Sequence, residues 1–206
     1  MAEFYAGKWN GHQIIVQNSD AEKLMIDGNV AAENKKGIHL GAVLTAPLPD
    51  TDGLYVYVML FASLGTQCCC IVGKPLETEY DKKTKAHTAE YNGHLIEARN
   101  KLRAVMFVDG EEVDKQESIM ESVCILGTKA PDSDKRFMAV FDGVSGGLKA
   151  KVQIYAEAEN VSMAPCREDA GQLIPLTMEE IEEEIAEAEA VAAGAAAAAT
   201  AACILS

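Results

Sequence analysis

Two histidines stand in matching contexts, Gly11-His12 and Gly93-His94, and they are the first residues that could serve as a base or a ligand. Acid–base or nucleophilic catalysis around a histidine needs a nucleophile or a carboxylate at a defined spacing. No serine, cysteine or carboxylate accompanies both histidines in this way. We therefore expect each histidine to form hydrogen bonds at the start of a strand. We predict no catalytic residue and no cofactor, and we do not expect an enzyme.

Two aspartate pairs could bind a metal ion, Asp50 with Asp52 and Asp132 with Asp134, and each pair follows a proline. A calcium loop of the helix-loop-helix type needs more oxygen ligands and a distal glutamate. The pattern Pro-Asp-x-Asp is instead typical of a turn, because aspartate side chains bond to nearby backbone groups. We therefore predict turns here and no metal site.

The chain has six cysteines, three of them consecutive at Cys68, Cys69 and Cys70. They form no Cys-x-x-Cys pair and have no histidine at zinc spacing, so neither a metal site nor a disulfide framework is predicted. The matching strand of the second half predicts that Cys68 and Cys70 point inward and Cys69 outward. Because a free cysteine behaves as a small apolar residue, we expect these side chains to fill a core.

The last four residues, Cys203-Ile204-Leu205-Ser206, have the pattern Cys-aliphatic-aliphatic-X, in which X = Ser favours a farnesyl group. We therefore expect lipidation of Cys203 and partial attachment to the cytosolic face of a membrane. A single lipid chain holds a protein only weakly. Seven glutamates and no basic residue lie between Glu179 and Glu189, so this segment adds repulsion from anionic lipids.

The net charge and the first residues of the chain narrow the kinds of partner and the cellular compartments that we expect. The net charge of -14 argues against nucleic acid as a partner, because neutralising phosphates requires lysine and arginine. The first residues, Met1 to Tyr5, have neither the basic region nor the apolar core of a secretory signal. We therefore expect a cytoplasmic protein that is partly associated with membranes.

An internal repeat supplies the elements that must position these residues. Residues 9–73 match residues 91–155 at a constant offset of 82 without a gap, with 14 identities. They include Asn10-Gly11-His12, which recurs as Asn92-Gly93-His94, and Asp27-Gly28, which recurs as Asp109-Gly110. One ungapped alignment over this length indicates a duplication. We call the two halves copy one and copy two.

Each copy has the pattern of five or six short strands, and Asp-Gly is a strong signal for a hairpin turn. We predict a mainly β protein with two tandem antiparallel β-sandwiches or partly open barrels. The predicted divisions are copy one at 1–76, a linker at 77–90, copy two at 91–165 and an acidic, Ala-rich helical tail at 166–206. Thr177 and Glu180 predict a capping box at the start of the tail helix. The predicted core contains Ile14, Ile26, Val58, Val72, Ile96, Val108, Val140 and Ile154.

Two families share short motifs with this chain. Gly11-His12-Gln13-Ile14 with Ile26-Asp27-Gly28, and Gly93-His94-Leu95-Ile96 with Val108-Asp109-Gly110, resemble the Fas apoptotic inhibitory molecule family. That resemblance implies two consecutive small β-sandwich domains that act through protein interaction.

The segment that ends in Phe141-Asp142-Gly143-Val144 resembles the Phe-Asp-Gly-His-Gly-Gly motif of metal-dependent Ser/Thr phosphatases. Upstream, Met120-Glu121 resembles the Met-Glu-Asp of that family. Val144 stands where the family has the histidine of the first motif, and Ser122 stands where it has the aspartate of the second. About 60 residues remain after the motif, fewer than the rest of that fold needs.

These observations favour a non-enzymatic interaction or scaffold protein with unidentified protein partners, tethered to membranes by a prenyl group. The alternatives are a degenerate metal-dependent phosphatase and a β-sandwich that binds carbohydrate or lipid.

Overall fold

Tight turns with a left-handed backbone connect the hairpins of both copies. In four turns, two consecutive residues have positive φ angles, which is characteristic of type I′ hairpin turns. Asn, Asp and Gly adopt this conformation at the lowest cost. The turns are Asn10-Gly11 (44° and 90°), Asp27-Gly28 (51° and 78°), Asn92-Gly93 (50° and 84°) and Asp109-Gly110 (52° and 85°). The predicted Asp-Gly hairpins are therefore confirmed.

The structure is a computed structural model that describes residues 3–19, 21–34, 41–63, 65–100, 103–116, 123–142, 151–183 and 186. It is mainly β, with three antiparallel sheets, none of which closes into a barrel, and one short helix near the C-terminus. The predicted fold class is therefore confirmed.

The described part of the chain forms seventeen strands. The first seven are β1 (Glu3–Trp9), β2 (His12–Asn18), β3 (Glu22–Ile26), β4 (Asn29–Asn34), β5 (Gly41–Pro47), β6 (Tyr55–Ser63) and β7 (Gly65–Pro75). Next come β8 (Glu79–Asp81), β9 (Ala86–Tyr91), β10 (His94–Asn100), β11 (Ala104–Val108), β12 (Glu111–Lys115), β13 (Val123–Lys129), β14 (Arg136–Asp142) and β15 (Lys151–Val161). The last strands are β16 (Ala164–Asp169) and β17 (Gln172–Pro175).

The strand order confirms the duplication. Strands β2, β3, β4 and β5 begin 82 residues before β10, β11, β12 and β13, respectively. The neighbours β1-β2-β3-β4 recur as β9-β10-β11-β12, and β5-β6-β7 recur as β13-β14-β15. The three sheets have the orders β17-β16-β1-β2-β3-β4, β12-β11-β10-β9-β8 and β13-β14-β15-β7-β6-β5.

Two compact units divide the chain, and the boundaries cross strands β5, β6 and β7. Unit 1 takes Met1–Leu44, Val58–Cys69 and Ser162–Ser206, and unit 2 takes Thr45–Tyr57 and Cys70–Val161. In unit 1, the β17-to-β4 sheet buries most of one face, because alternate residues of a strand point to the same side. Its most deeply buried side chains come from β2 and β3: Ile14, Val16, Leu24 and Ile26. On its other face, Phe4 and the opposite Cys166 are also buried.

Unit 2 contains a sandwich of two sheets. Residues of β9, β10 and β11 pack against residues of β13, β14 and β15 in one apolar cluster. The larger members are Ile96, Met106, Phe137, Phe141 and Ile154, each at most 2% exposed. The ring of Tyr91 meets the edge of Phe137 with 6.3 Å between the ring centroids.

The eight residues predicted for the core are all buried. Exposure is 5% for Val108 and at most 2% for each of the other seven, Ile14, Ile26, Val58, Val72, Ile96, Val140 and Ile154.

Two segments contain more strand than the sequence pattern predicted. The expected linker at 77–90 contains β8 and most of β9, where Ala86 and Ala89 are buried between polar neighbours. The start of the expected helical tail forms the β16–β17 hairpin, whose turn Ala170-Gly171 has positive φ angles of 49° and 80°. Both differences have one reason: short strands with few apolar residues gain their order by pairing with β10 or β1, which a local pattern does not show.

The predicted helix start is confirmed. Residues 178–183 are helical, and the Glu180 backbone N–H donates to Thr177 Oγ1 at 3.3 Å. In return, the Thr177 backbone N–H donates to Glu180 Oε2 at 2.8 Å, which completes the capping box. Arg167 of β16 also contacts Glu180, and the Leu176 N–H donates to the Pro165 carbonyl at 2.9 Å, so the helix start is anchored to this hairpin.

Candidate functional site

Both histidines bind the aspartate of a hairpin turn in the same way. His12 Nδ1 lies 2.7 Å from Asp27 Oδ2, and His94 Nδ1 lies 2.7 Å from Asp109 Oδ2. The second oxygen of each carboxylate accepts a backbone N–H, from Gln13 at 2.8 Å in copy one and from the residue after His94 at 2.9 Å in copy two. The predicted hydrogen bonds at the strand starts are therefore confirmed.

Copy two adds a second carboxylate. His94 Nε2 lies 2.8 Å from Asp132 Oδ2, so both ring nitrogens face aspartates. Hydrogen bonds to Asp109 first and to Asp132 second raise the pKa of His94. The bond from His94, together with the backbone N–H of Leu95, lowers the pKa of Asp109. A carboxylate only accepts, so both nitrogens donate when the ring is protonated.

The His94 bridge ties the β11–β12 turn to the β13–β14 loop. Neither ring nitrogen of His94 faces an open space, and the Phe137 ring lies 6.1 Å away. Among the described residues, no group of three His, Cys, Asp or Glu side chains could hold a metal ion.

The Asp-x-Asp segments form turns, as predicted. Asp50 has a φ of 54°, and Thr51 Oγ1 donates to the Leu48 carbonyl at 2.8 Å. In copy two, the corresponding loop is closed by the Ala130 N–H, which donates to the Lys135 carbonyl at 2.9 Å. Asp134 pairs with Lys129 at 2.8 Å.

An open groove of about 310 Å³ lies beside the His94 bridge in unit 2. One wall comes from the β11–β12 hairpin and the other from the end of β13 and its loop. The lining residues are Val108, Asp109, Glu111, Val113, Thr128, Lys129 and Pro131. The His94 bridge joins these two walls. The lining mixes charges of both signs.

A row of apolar side chains crosses the outer face of the unit 1 sheet. Residues directly opposite each other on antiparallel strands point to the same face. The pairs Ala164–Ala6, Ala6–Ile15, Ile15–Met25 and Met25–Val30 connect β16, β1, β2, β3 and β4 in one line. Their neighbours along β2, Ile14 and Val16, point into the core, so this line lies on the opposite, solvent side. We call these five residues the apolar row.

The apolar row is accessible and ends at a sheet edge. Ala6, Ile15 and Met25 are half-buried, whereas Val30 on the edge strand β4 is 57% exposed. An antiparallel sheet with one solvated face normally alternates apolar and polar residues. Ile14, Ile15 and Val16 break that alternation in β2, as do Leu24, Met25 and Ile26 in β3.

Copy two has two glutamates at the same positions. The equivalents of Ala6, Ile15, Met25 and Val30 are Thr88, Glu97, Phe107 and Glu112, and they pair across β9 to β12. The guanidinium of Arg99 covers the Phe107 ring at 4.2 Å from its centroid and also contacts Glu97. In copy two, Arg99 therefore covers Phe107, the apolar side chain near the centre of these positions.

Lysines flank the apolar row. Lys8 lies two residues beyond Ala6 on β1, and Lys23 lies two residues before Met25 on β3, so both point to the same face as the row. Lys23 is 4.0 Å from Glu33. The equivalent of Lys8 in copy two is Glu90. This face therefore carries two lysines and Glu33 at its margins in a chain of net charge -14.

The cysteine cluster is poorly suited to modification. Cys70 is buried, and Cys68 and Cys69 are half-buried, so the predicted contrast between an inward Cys68 and an outward Cys69 is not seen. Burial, with a smaller effect of Cys69, raises the pKa of Cys68 to about 12. Burial also raises the pKa of Cys69. Since the thiolate is the reactive form, these thiols are protected.

Several residues singled out in the sequence lie outside the described part of the chain. They are Cys203 in the prenylation motif, and Ser122 and Val144 at the positions where the phosphatase resemblance fails. The described start of that motif, Phe137–Phe141, is buried core of β14. Among the described residues, none belongs to a helix long and apolar enough to cross a bilayer.

Sequence reasoning missed the apolar row, because the row follows the pairing of five strands, which a local pattern does not show. The adjacent apolar residues Ile14-Ile15-Val16 and Leu24-Met25-Ile26 were the available signal.

Comparisons of the chain with protein-family models, with curated proteins and with solved structures find no match.

Proposed function

We propose that this chain is a non-enzymatic protein-interaction module that binds a partner protein through the apolar row. The observation that carries the proposal is the difference between the two copies. Both have the same turns, the same histidine–aspartate pairs and the same strand order, yet only copy one has an apolar line across its solvent face. Contiguous exposed apolar surface is the usual mark of a protein interface.

The geometry defines what kind of surface the partner presents. The apolar row runs over four strand spacings, which is about 19 Å. A helix of about 13 residues has that length, so an amphipathic helix laid across the strands would cover the row. Lys8 and Lys23 favour acidic side chains at the margins of such a helix.

Membrane attachment through a farnesyl group on Cys203 belongs to this proposal. It rests on the sequence motif alone. In this view, the lipid concentrates the chain at a membrane, where the apolar row recruits the partner. Attachment by one lipid chain is reversible, so the protein would divide between membrane and cytosol.

The test uses matched substitutions at equivalent positions of the two copies. Ile15→Lys places a charge in the centre of the apolar row, and Glu97→Lys places the same residue at the equivalent position of copy two. Affinity capture from native cells, with quantitative mass spectrometry, should show proteins that bind wild type and Glu97→Lys but not Ile15→Lys. Thermal unfolding must first show that both variants are folded. A set of bound proteins that is identical for all three chains would contradict the proposal.

A further inference from the structure

We propose that the apolar row of one molecule binds the acidic helix of a second copy of this chain. The inference rests on the proposed function, because it names the partner of the same surface. The helix begins at Met178, just after β17, and belongs to the same unit as the row.

The first argument is complementarity. The helix has apolar residues at Met178 and Ile181, three residues apart and therefore on one side. Met178 is 70% exposed, which is unusual for a large apolar side chain at a helix start. Glu179, Glu182 and Glu183 are exposed around this side. In the sequence, Ile185 and Ala188 continue the apolar pattern, and Glu184, Glu187 and Glu189 continue the acidic one.

The second argument concerns charge. Lys8 and Lys23 flank the row, with Glu33 opposite Lys23, whereas the corresponding face of copy two has Glu90, Glu97 and Glu112 together with Arg99 and Lys115. Among these residues the face of copy one has an excess of positive charge and the face of copy two an excess of negative charge, so a helix rich in glutamate is favoured on the face of copy one. The apolar row is thus the better site for this helix among the two equivalent sheet faces.

The third argument explains why the occupant comes from a second molecule. The helix start is held at its own hairpin by the contact of Arg167 with Glu180 and by the bond from the Leu176 N–H to the Pro165 carbonyl. Strand β17, which precedes the helix, is the neighbour of β16 with Ala164 at the near end of the row, and it lies five strand spacings, or about 24 Å, from β4 with Val30 at the far end. Met178 and Val30 are both largely exposed within one chain, so neither covers the other.

Exchange of helices between two molecules produces a closed dimer. Each molecule would give its helix and receive the helix of its partner, so the same contact would occur twice around a twofold axis. Each contact is small, because only a few apolar side chains meet, and we expect a dimer with a dissociation constant on the order of tens of micromolar.

Sedimentation velocity of the full chain over a range of concentrations tests the dimer. Wild type and Glu97→Lys should associate, whereas Ile15→Lys in the row and Met178→Lys in the helix should each weaken association at least about tenfold. Lys23→Glu should also weaken it, and Lys23→Arg should leave it unchanged. A wild type that stays monomeric up to about 0.5 mM, or a dimer that Met178→Lys leaves intact, would overturn the inference.

A mixture of the two defective variants tests the reciprocal exchange. Ile15→Lys keeps its helix and Met178→Lys keeps its row, so the mixture retains one intact contact per heterodimer. The mixture should therefore associate more tightly than either variant alone. Equal association in the mixture and in the separate variants would refute the exchange.

Nuclear magnetic resonance distinguishes a second copy from the chain's own helix and from another partner. At low concentration, Met178→Lys should leave the methyl resonances of Ile15 and Met25 unchanged; a shift would place the chain's own helix on the row and refute the inference. A synthetic peptide of residues 174–189 should shift these resonances, and the same peptide with Ile181→Lys should not. If the peptide has no effect while the capture experiment finds another protein at the row, the inference fails and the proposed function stands.

Discussion

Truncation of Ile96 tests the packing of the unit 2 sandwich. Ile96 is 0% exposed and belongs to the cluster that β10 forms with β14 and β15. Ile96→Ala removes three carbon groups, worth about 2.4 kcal/mol at roughly 0.8 kcal/mol each. The cavity that remains adds to this cost, so we expect a total loss of about 3–5 kcal/mol in the free energy of unfolding.

Urea unfolding followed by circular dichroism measures this loss, and the neighbouring residue provides the control. Leu95 lies on the same strand but is 42% exposed, so Leu95→Ala should cost less than about 1 kcal/mol. Ile14→Ala, the equivalent truncation in unit 1, should be as costly as Ile96→Ala, because Ile14 is also 0% exposed. If Ile96→Ala and Leu95→Ala lowered stability equally, the assignment of the inward face of β10 would be wrong.

Three further predictions concern the bridge, the turns and the lipid. His94 has a raised pKa in the folded chain, so its bridge stabilises fully below the unfolded histidine pKa of about 6.5 and loses this effect as pH rises through the folded pKa. His94→Gln should therefore destabilise more at pH 5.5 than at pH 8.5 in thermal unfolding, and an equal effect at both pH values would count against the bridge. Gly110→Ala should cost about 1–2 kcal/mol in urea unfolding, because φ is 85° and the added methyl group meets no atom within 4 Å, so the cost is in the backbone alone. The equivalent Gly28→Ala should cost the same, and a neutral result would mean that the turn is not left-handed. Intact mass and cell fractionation should show a farnesyl group on Cys203 and a membrane-bound fraction that Cys203→Ser abolishes; an unmodified wild type would disprove the anchor.

The sequence predicted the structure best where a local backbone conformation requires particular residue types. Asn-Gly and Asp-Gly predicted the turns because few other residues adopt positive φ, and the 82-residue offset predicted that both copies repeat them. The core residues followed from alternation, which a strand requires whichever strand it pairs with. Thr177 and Glu180 predicted the helix start for the same reason, since a capping box is complete within four residues.

The sequence did not predict which strands pair with each other across long distances in the chain. Strand β8 has only three residues, and β16 consists mainly of polar and small residues, so neither has a local signal of its own. The second carboxylate on His94 depends on the β13–β14 loop, 38 residues further along the chain. The apolar row requires the alignment of five strands at once. Sites of this kind depend on register, which alternation within one strand does not determine.

Divergence between the copies separates residues that hold the fold from residues that give a copy its own properties. The His12–Asp27 and His94–Asp109 pairs have the same 2.7 Å geometry and the same supporting backbone bond, so they serve both copies as hairpin braces. At the outer face, one copy has Ile15 where the other has Glu97. Neither residue contributes to the buried core of its own sheet, so folding leaves this position free to change. A hairpin brace that is identical in both copies cannot account for a property of only one, and an outer face that differs can. We therefore expect substitutions in the His12–Asp27 pair to act mainly through stability, and Ile15→Lys to act on association in a chain that remains folded.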